Sequence, residues 1–295
     1  MRHNFPKING AYEFNFSLGE ISFFKVGGVC DILFSPKSEE QLIYFLENKP
    51  KNLNITILGN MSNILISDLG IRGCVVRLNN LNDIKFYEGY VEVNSGVLLS
   101  KLINKCAKLG ISCCERLFCI PGSVGGALFM NAGIPGFEIN DVLISIDAVD
   151  FHGVRKTFTN ADLKMGYRNG NIPKNFIIRS AKLKTFPKDK DTIFAEIKGL
   201  HEKRLKSQPI GMPTCGSTFK NPDGYKAWQL IKDAGCDKFF VGGARVSDIH
   251  CNFLINSGGA KASDFLELIE IIKIRVFEKT ETILQEEIIK IGEWV

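Results

Sequence analysis

Residues 118 to 133 read FCIPGSVGGALFMNAG, with glycines at 122, 125, 126 and 133 and hydrophobic neighbours such as Phe129 and Met130. Glycine turns normally lie among polar residues, and glycine inside a packed segment gives up side-chain contacts and costs backbone entropy. A chain that keeps such a segment is keeping side chains away from something. The simplest use is a dry site where backbone approaches a large flat ligand and a β-carbon would collide.

A second glycine segment, ILGNMSNILIS at 57 to 67, reads as a strand, a tight G-x-x-S-N turn and another apolar strand. Successive backbone N–H groups with the short polar chains of Ser62 and Asn63 make a nest for a phosphate, and a plain hairpin turn has the same appearance. No G-x-G-x-x-G opens a helix after a strand, and G-x-x-x-x-G-K-[ST] is absent, which argues against a Rossmann or P-loop protein.

The 295 residues, 45% hydrophobic, predict about two domains with a sizeable core in each. From about 20 to 185, short β-branched stretches (ITIL at 55 to 58, GCVVRL at 73 to 78, YVEVNSG at 90 to 96, FIIRSAKLKTF at 176 to 186) alternate with helical pieces and glycine turns, an α+β pattern. SEEQLIYFLENK at 38 to 49 puts Leu42, Phe45 and Leu46 on one helical face behind Ser38 as N-cap. The charged, aperiodic stretch around Pro187 places a domain boundary near 190, giving domains 1–190 and 191–295. Beyond it, 225 to 235 and 263 to 279 read as amphipathic helices, the second with Phe265, Leu268, Ile272 and Val276 on one side, and 282 to 292 reads as a final strand.

Composition excludes several classes. The amino end has no apolar signal-like region and no run approaches the roughly 18 apolar residues of a membrane span, so a soluble cytoplasmic chain without membrane association is expected. Nine cysteines form no C-x-x-C pair and are expected reduced and mostly buried. The four histidines, His3, His152, His201 and His250, pair with no cysteine or carboxylate at metal-ligand spacing, so no metal is expected. The net charge of +5 arises from lysines scattered among acids, which argues against nucleic acid and leaves a phosphorylated small ligand open.

Eight ordered blocks then carry a resemblance: F-x-K-V-G-G (23 to 28), L-G-x-x-S-N (58 to 63), I-P-G-S-V-G-G-A (120 to 127), M-N-A-G (130 to 133), G-Y-R (166 to 168), C-G-S-T-F-K-N-P (215 to 222), H-x-N-F-x-I-N (250 to 256) and E-x-x-x-x-I-G near the end. Over nearly its whole length the chain resembles the UDP-N-acetylenolpyruvoylglucosamine reductase family, flavoenzymes of peptidoglycan precursor synthesis. The resemblance implies an FAD-binding domain of the p-cresol methylhydroxylase or vanillyl-alcohol oxidase type, built of two α+β lobes, followed by a smaller α+β substrate domain. It also implies tightly bound FAD, NADPH as hydride donor, UDP-N-acetylglucosamine-enolpyruvate as substrate, and a monomer. The short span from Arg168 to Ser217 resembles the family class without a tyrosine-bearing substrate loop. Where the family has three glycines before Ser-Asn, this chain has Gly59, Asn60 and Met61; asparagine tolerates left-handed backbone and methionine resists it.

The resemblance assigns FAD contacts to Gly59, Asn60, Met61, Ser62, Asn63, Pro121, Gly122, Ser123, Gly125, Gly126 and Ala127, with glycines 122, 125 and 126 keeping the wall beside the flavin bare. It places Arg168 at the enolate-like charge that develops on the substrate, Ser217 as the proton donor to carbon, and Glu287 beside the oxyanion. Period-two alternation independently puts Glu287 on the face of Ile283, Ile289 and Ile291, where a carboxyl is pushed toward its protonated, hydrogen-bond-donating form. Asn221 and Lys206 are expected at the substrate diphosphate, with Tyr167 shaping the pocket. His250 and Asn252 either line the site or hold the C-terminal domain together. The residues alone leave other classes open: a Cys215–His250 thiol hydrolase or transferase, another FAD oxidoreductase of the same fold, and a non-catalytic nucleotide-binding module.

Overall fold

The structure, a computed structural model, describes residues 5–294; His3 lies outside them. The chain divides into two compact units, one of Met1–Glu13, Ile32–Asn60 and Gly73–Glu202, the other of Phe14–Asp31, Met61–Arg72 and Lys203–Val295. This division differs from a single boundary near 190 in two respects. Two early segments belong with the C-terminal residues, and the expected linker is the start of an 18-residue helix, Lys190–Ser207. That helix buries only Ile193 and Ile197, so it has almost no apolar stripe for a periodicity reading to find.

The first unit holds two hydrophobic cores. In one, a five-stranded antiparallel sheet runs in the order Arg155–Thr159, Leu143–Asp150, Phe176–Lys184, Tyr90–Asn94, Ile84–Tyr87. Its core includes Leu99, Leu102, Ile103, Cys106 and Ala107 of the helix Leu99–Leu109. The other core gathers Phe34, Cys74 and Val76 of a second sheet under the helix Glu39–Asn48. That helix forms as its sequence predicts: Ser38 Oγ accepts the Gln41 N–H, and Leu42, Phe45 and Leu46 are buried. Phe34 and Phe45 stack with ring centroids 4.3 Å apart.

The second unit has one core, built on the helix Ala262–Thr280 with Phe265, Leu268, Ile272 and Val276 all buried. The helix Ala227–Asp233 and the antiparallel sheet Phe240–Val241, Ala244–Val246, Leu254–Asn256 share that core. The Asp68 carboxylate accepts the Ala262 and Ser263 N–H groups at 2.8 and 2.9 Å, capping the long helix with a charge that suits its N-terminal dipole. All nine cysteines are free thiols; seven are buried and two, Cys119 and Cys251, are half-buried.

The end of the chain departs from expectation. Only Ile289–Ile291 is a strand, paired in parallel with Ile64–Ile66. Ile283 is 71% exposed, while Leu284 and Ile288 are buried. The period-two face proposed for Glu287 therefore does not exist, because the chain bends at 288 before the strand begins. Glu287 is half-buried, at the point where the chain changes partners.

Candidate active site

In the first unit the two glycine segments meet. A β-carbon on Gly59 would lie 2.9 Å from Ser123 Oγ, and Gly126 Cα is the next neighbour at 3.8 Å. The strand Ile55–Leu58 pairs in parallel with Ile71–Arg77, and Ile64–Ile66 pairs with Ile289–Ile291, so the G-x-x-S-N turn does not join a hairpin. Met61 holds φ +55° with its side chain 2% exposed, so a methionine does occupy the left-handed position here, anchored by burial.

The 118–133 segment contains a short helix, Val124–Phe129, whose N-cap Ser123 accepts the Gly126 N–H at 3.3 Å. Backbone bonds lay its start along a neighbouring stretch: Leu99 N–H to Gly122 O at 3.0 Å, Val124 N–H to Val97 O at 2.8 Å and Gly125 N–H to Ser95 O at 2.8 Å. The expectation that three glycines keep one wall bare needs correction. A β-carbon on Gly125 would sit 2.8 Å from Ser95 Cβ, so that glycine permits backbone-to-backbone packing. Gly126, by contrast, has only Ser123 Oγ, at 3.5 Å, in its β-carbon's reach outside its own helix. Of this pair, only Gly126 has room for a β-carbon.

Arg168 sits in a tight turn, Gly166–Asn169, closed by Gly166 N–H to Asn169 O at 2.8 Å and Asn169 N–H to Gly166 O at 3.0 Å. Its φ is +55°, the third-residue conformation of a type II turn, which normally falls to glycine. A buried amide holds the turn. Asn131 of the M-N-A-G block donates from Nδ2 to Gly166 O at 2.9 Å and to Glu138 Oε2 at 2.6 Å. Immediately after it, Gly170 N–H bonds Phe129 O at 2.9 Å. The Arg168 guanidinium lies over the Tyr167 ring, 4.8 Å from its centroid, and Tyr167 is half exposed. Sequence reasoning quoted Asn131 without giving it a task; the available signal was an amide inside an apolar run, which must find partners when buried.

In the second unit, residues 217–220 lie between two other segments and bond to both. On one side Ser217 bridges Phe253, and Thr218 N–H bonds Asn252 O at 2.8 Å. On the other, Phe219 bridges Glu286, Glu287 N–H bonds Thr218 O at 2.8 Å and Lys220 N–H bonds Gln285 O at 2.8 Å. Ser217 and Glu287 are thereby brought onto neighbouring segments, while Arg168 belongs to the other unit. Both polar ends of the Asn252 side chain bond Phe219, Oδ1 to its N–H at 2.9 Å and Nδ2 to its carbonyl at 2.8 Å. Asn252 thus stitches the segments together. Asn221 Oδ1 accepts the Ala227 N–H at 3.0 Å and so starts the helix Ala227–Asp233.

Cys215 is no nucleophile. It is 2% exposed, burial pushes its pKa up to about 12, and Sγ points at Ile64 O, 3.3 Å away. His250 is held below the ordinary imidazole range by burial, and its Nδ1 accepts the Asn252 N–H at 3.2 Å. The neutral ring therefore carries its proton on Nε2. His250 and Lys206 both line a pocket of about 620 Å³ together with Trp228, Lys232, Lys238 and Asp248. Among the described residues no group of three or more His, Cys, Asp or Glu could hold a metal ion.

Comparison with known proteins decides the family. Residues 30–158 match the family described as FAD binding domain, and residues 208–291 match UDP-N-acetylenolpyruvoylglucosamine reductase, C-terminal domain. The chain is 40% identical to the UDP-N-acetylenolpyruvoylglucosamine reductase of Rickettsia akari, covering 98% of this chain and 99% of the relative. The chain belongs to the UDP-N-acetylenolpyruvoylglucosamine reductase family. The Orientia tsutsugamushi enzyme of that name is 39% identical over 97% of this chain and 96% of its own. Among solved structures, UDP-N-acetylenolpyruvylglucosamine reductase from Thermus caldophilus matches with a TM-score of 0.81 and 30% identity, covering 95% of this chain and 97% of that one.

As in its reductase relatives, the fold is α+β, with an FAD-binding domain preceding the C-terminal domain. The first unit's own atoms suit the flavin nucleotide. A β-carbon on Gly126 would meet only Ser123 Oγ, in ordinary contact at 3.5 Å, and Ser95 Oγ, of the residue packed against Gly125, is buried with no hydrogen-bond partner. An unpaired buried hydroxyl is what a polar ligand completes.

Proposed function

We propose that this chain is an FAD-containing oxidoreductase that uses NADPH to reduce the enolpyruvyl ether of UDP-N-acetylglucosamine-enolpyruvate, giving UDP-N-acetylmuramate for peptidoglycan precursor synthesis in the cytoplasm. The observation that carries the reading is the pairing of Ser217 and Glu287 on adjacent segments through the Glu287 N–H to Thr218 O bond. Reduction of a vinyl ether conjugated to a carboxylate needs a proton donor to carbon next to a group that steadies negative charge on oxygen.

When bound, FAD supplies a hydride, taken from NADPH, to the methylene carbon. The electron pair of the C=C bond then moves toward the carboxylate, leaving an enolate-like group. We assign Arg168 to that carboxylate, because a planar guanidinium matches it and stays charged. We assign Glu287 to the developing oxyanion, where its carboxylic acid form would donate a hydrogen bond. Ser217 gives its hydroxyl proton to the carbon beside the carboxylate and regains one from solvent. One hydride and one proton thus convert C=CH2 to CH–CH3. A serine is a weak acid, but an enolate is a strong enough base to take its proton.

We assign the UDP portion to the pocket of Lys206, Lys232, Lys238, Trp228 and His250, where three ammonium groups outnumber the carboxylates of Asp237 and Asp248 and an indole can stack on a base. We place the FAD-binding function in residues up to about 190, as a monomeric enzyme without the tyrosine-bearing loop. The test is Ser217→Ala. Stopped-flow measurement should find flavin reduction by NADPH near normal and flavin reoxidation by the enolpyruvyl substrate slowed at least about a hundredfold. Equal losses in both half-reactions would make Ser217 structural and remove the assignment.

A further inference from the structure

Glu287 lies where its segment leaves one partner and takes up another. Its N–H is held by Thr218 O at 2.8 Å, in the ladder of the 217–220 segment. Two residues later Ile289 N–H bonds Asn63 O at 3.0 Å, and the parallel ladder with Ile64–Ile66 begins. The Glu287 carbonyl falls at the changeover, and a side chain supplies its donor: Asn63 Nδ2 bonds Glu287 O at 3.0 Å. Asn63 therefore grips the chain on both sides of the buried Ile288, by its side chain at 287 and its backbone at 289.

We infer that Asn63 is a positioning residue for Glu287, acting through the Glu287 peptide group, an inference that rests on the catalytic role proposed for Glu287. The Glu287 Cα lies between two peptide planes, the one before it held by Glu287 N–H to Thr218 O and the one after it by Asn63 Nδ2 to Glu287 O and, at 3.4 Å, by Ile288 N–H to Thr218 O; rotating either plane swings the Cα–Cβ bond that aims the carboxyl. The two Thr218 contacts are backbone to backbone, and a change of side chain leaves them in place. The Asn63 contact can be removed. Asparagine suits the place because it brings an N–H donor to a carbonyl on a stem of one methylene; aspartate has the length without the donor, and alanine has neither. The same residue belongs to the G-x-x-S-N turn, so one short motif contributes both to the turn and to the placement of a reacting carboxyl.

The experiment compares Asn63→Ala, Asn63→Asp, Glu287→Ala and the double variant Asn63→Ala/Glu287→Ala, each saturated with FAD. We expect Asn63→Ala to slow flavin reoxidation by the enolpyruvyl substrate about ten- to a hundredfold, the scale of a misplaced group. Flavin reduction by NADPH should fall by a smaller factor than reoxidation, and the absorbance of bound flavin shows that the variant folds. The double variant should be no slower than Glu287→Ala alone. Hydrogen exchange of the peptide spanning 286–288 should quicken in Asn63→Ala whether or not FAD is bound. Asn63→Asp, lacking the donor at neutral pH, should behave as Asn63→Ala and recover in part on acidification, as its carboxylic acid regains an O–H to give. If the losses of the two single variants multiply in the double, or if Asn63→Ala weakens FAD retention while the saturated enzyme reoxidises normally, the inference is overturned and the Glu287 reading stands. An unimpaired Glu287→Ala would overturn the reading, and the inference with it.

Discussion

Two regions place the side chains proposed to react by opposite means. In the first unit Arg168 stands at the left-handed position of a four-residue turn, a conformation that disfavours any side chain, with the turn held from outside by the buried amide of Asn131. In the second unit Ser217 and Glu287 keep negative φ on neighbouring segments, held by bonds between the segments. The turn accepts conformational strain on the order of 1–3 kcal/mol to aim one cation. The segments rely on register. Substitutions should therefore separate stability from activity in the first region and couple them in the second.

The sharpest separation is Arg168→Gly. Glycine takes φ +55° without penalty, so thermal unfolding should show equal or slightly greater stability, by up to about 1 kcal/mol, while reoxidation by substrate falls by several powers of ten. Arg168→Ala should lose activity without that gain. If the glycine variant is clearly less stable than the alanine variant, the strain account of the turn is wrong.

Next in size is Glu287. Glutamine keeps the shape and an N–H donor, so Glu287→Gln should retain measurable reoxidation while Glu287→Ala falls by several powers of ten. Equal inactivity of both would mean that the residue relays a proton and does not only donate a hydrogen bond. Wild-type rates in both would move attention to neighbouring Glu286, whose carboxylate pairs with Lys273 at 3.3 Å and Lys290 at 2.9 Å.

A smaller effect distinguishes the adjacent glycines. Gly125→Ala drives a methyl into Ser95, 2.8 Å away, and should cost about 1–3 kcal/mol in denaturant unfolding of the apoprotein. Gly126→Ala meets only a serine hydroxyl at 3.5 Å and should leave apoprotein stability unchanged or raised, while weakening FAD retention in equilibrium dialysis. Identical behaviour would remove the distinction between the packing glycine and the ligand-facing one.

The smallest effect is a pH slope. Burial lowers the folded-state pKa of His250, so the unfolded chain binds the proton more readily. Stability from this group is complete above the unfolded value of about 6.5 and declines as pH falls from there through the folded value. His250→Asn keeps an acceptor for the Asn252 N–H and cannot titrate. Its Tm should vary less than wild type between about pH 6.5 and 5, and an unchanged slope would assign the acid limb elsewhere.

Much of this was legible in the residues. The helix Ala262–Thr280 shows its buried face because Phe265, Leu268, Ile272 and Val276 recur at helical spacing, and the helix Glu39–Asn48 announces itself through Ser38. The helix Lys190–Ser207 was not legible, since a helix with two buried residues carries no periodic signal. The apparent alternation around Glu287 misled because period two has meaning only while the backbone stays extended, and the chain bends at 288. The roles of Asn63, Asn131 and Asn252 were hidden for another reason: each side chain bonds a backbone group distant in sequence, and a main-chain carbonyl leaves no mark in the residue order.

The seven buried thiols give the protein a set of clocks. A thiol sealed in a core reacts with an alkylating reagent only when that core opens, so its labelling rate reads the free energy of local opening. Cys106, Cys113 and Cys114 share one core of the first unit, and Cys215 and Cys236 lie in the core of the second. Pulsed alkylation followed by peptide mass mapping should mark Cys119 and Cys251 at once and the two buried sets later. If the sets label at different rates, the units breathe separately; if they label together, the chain opens as a single cooperative body.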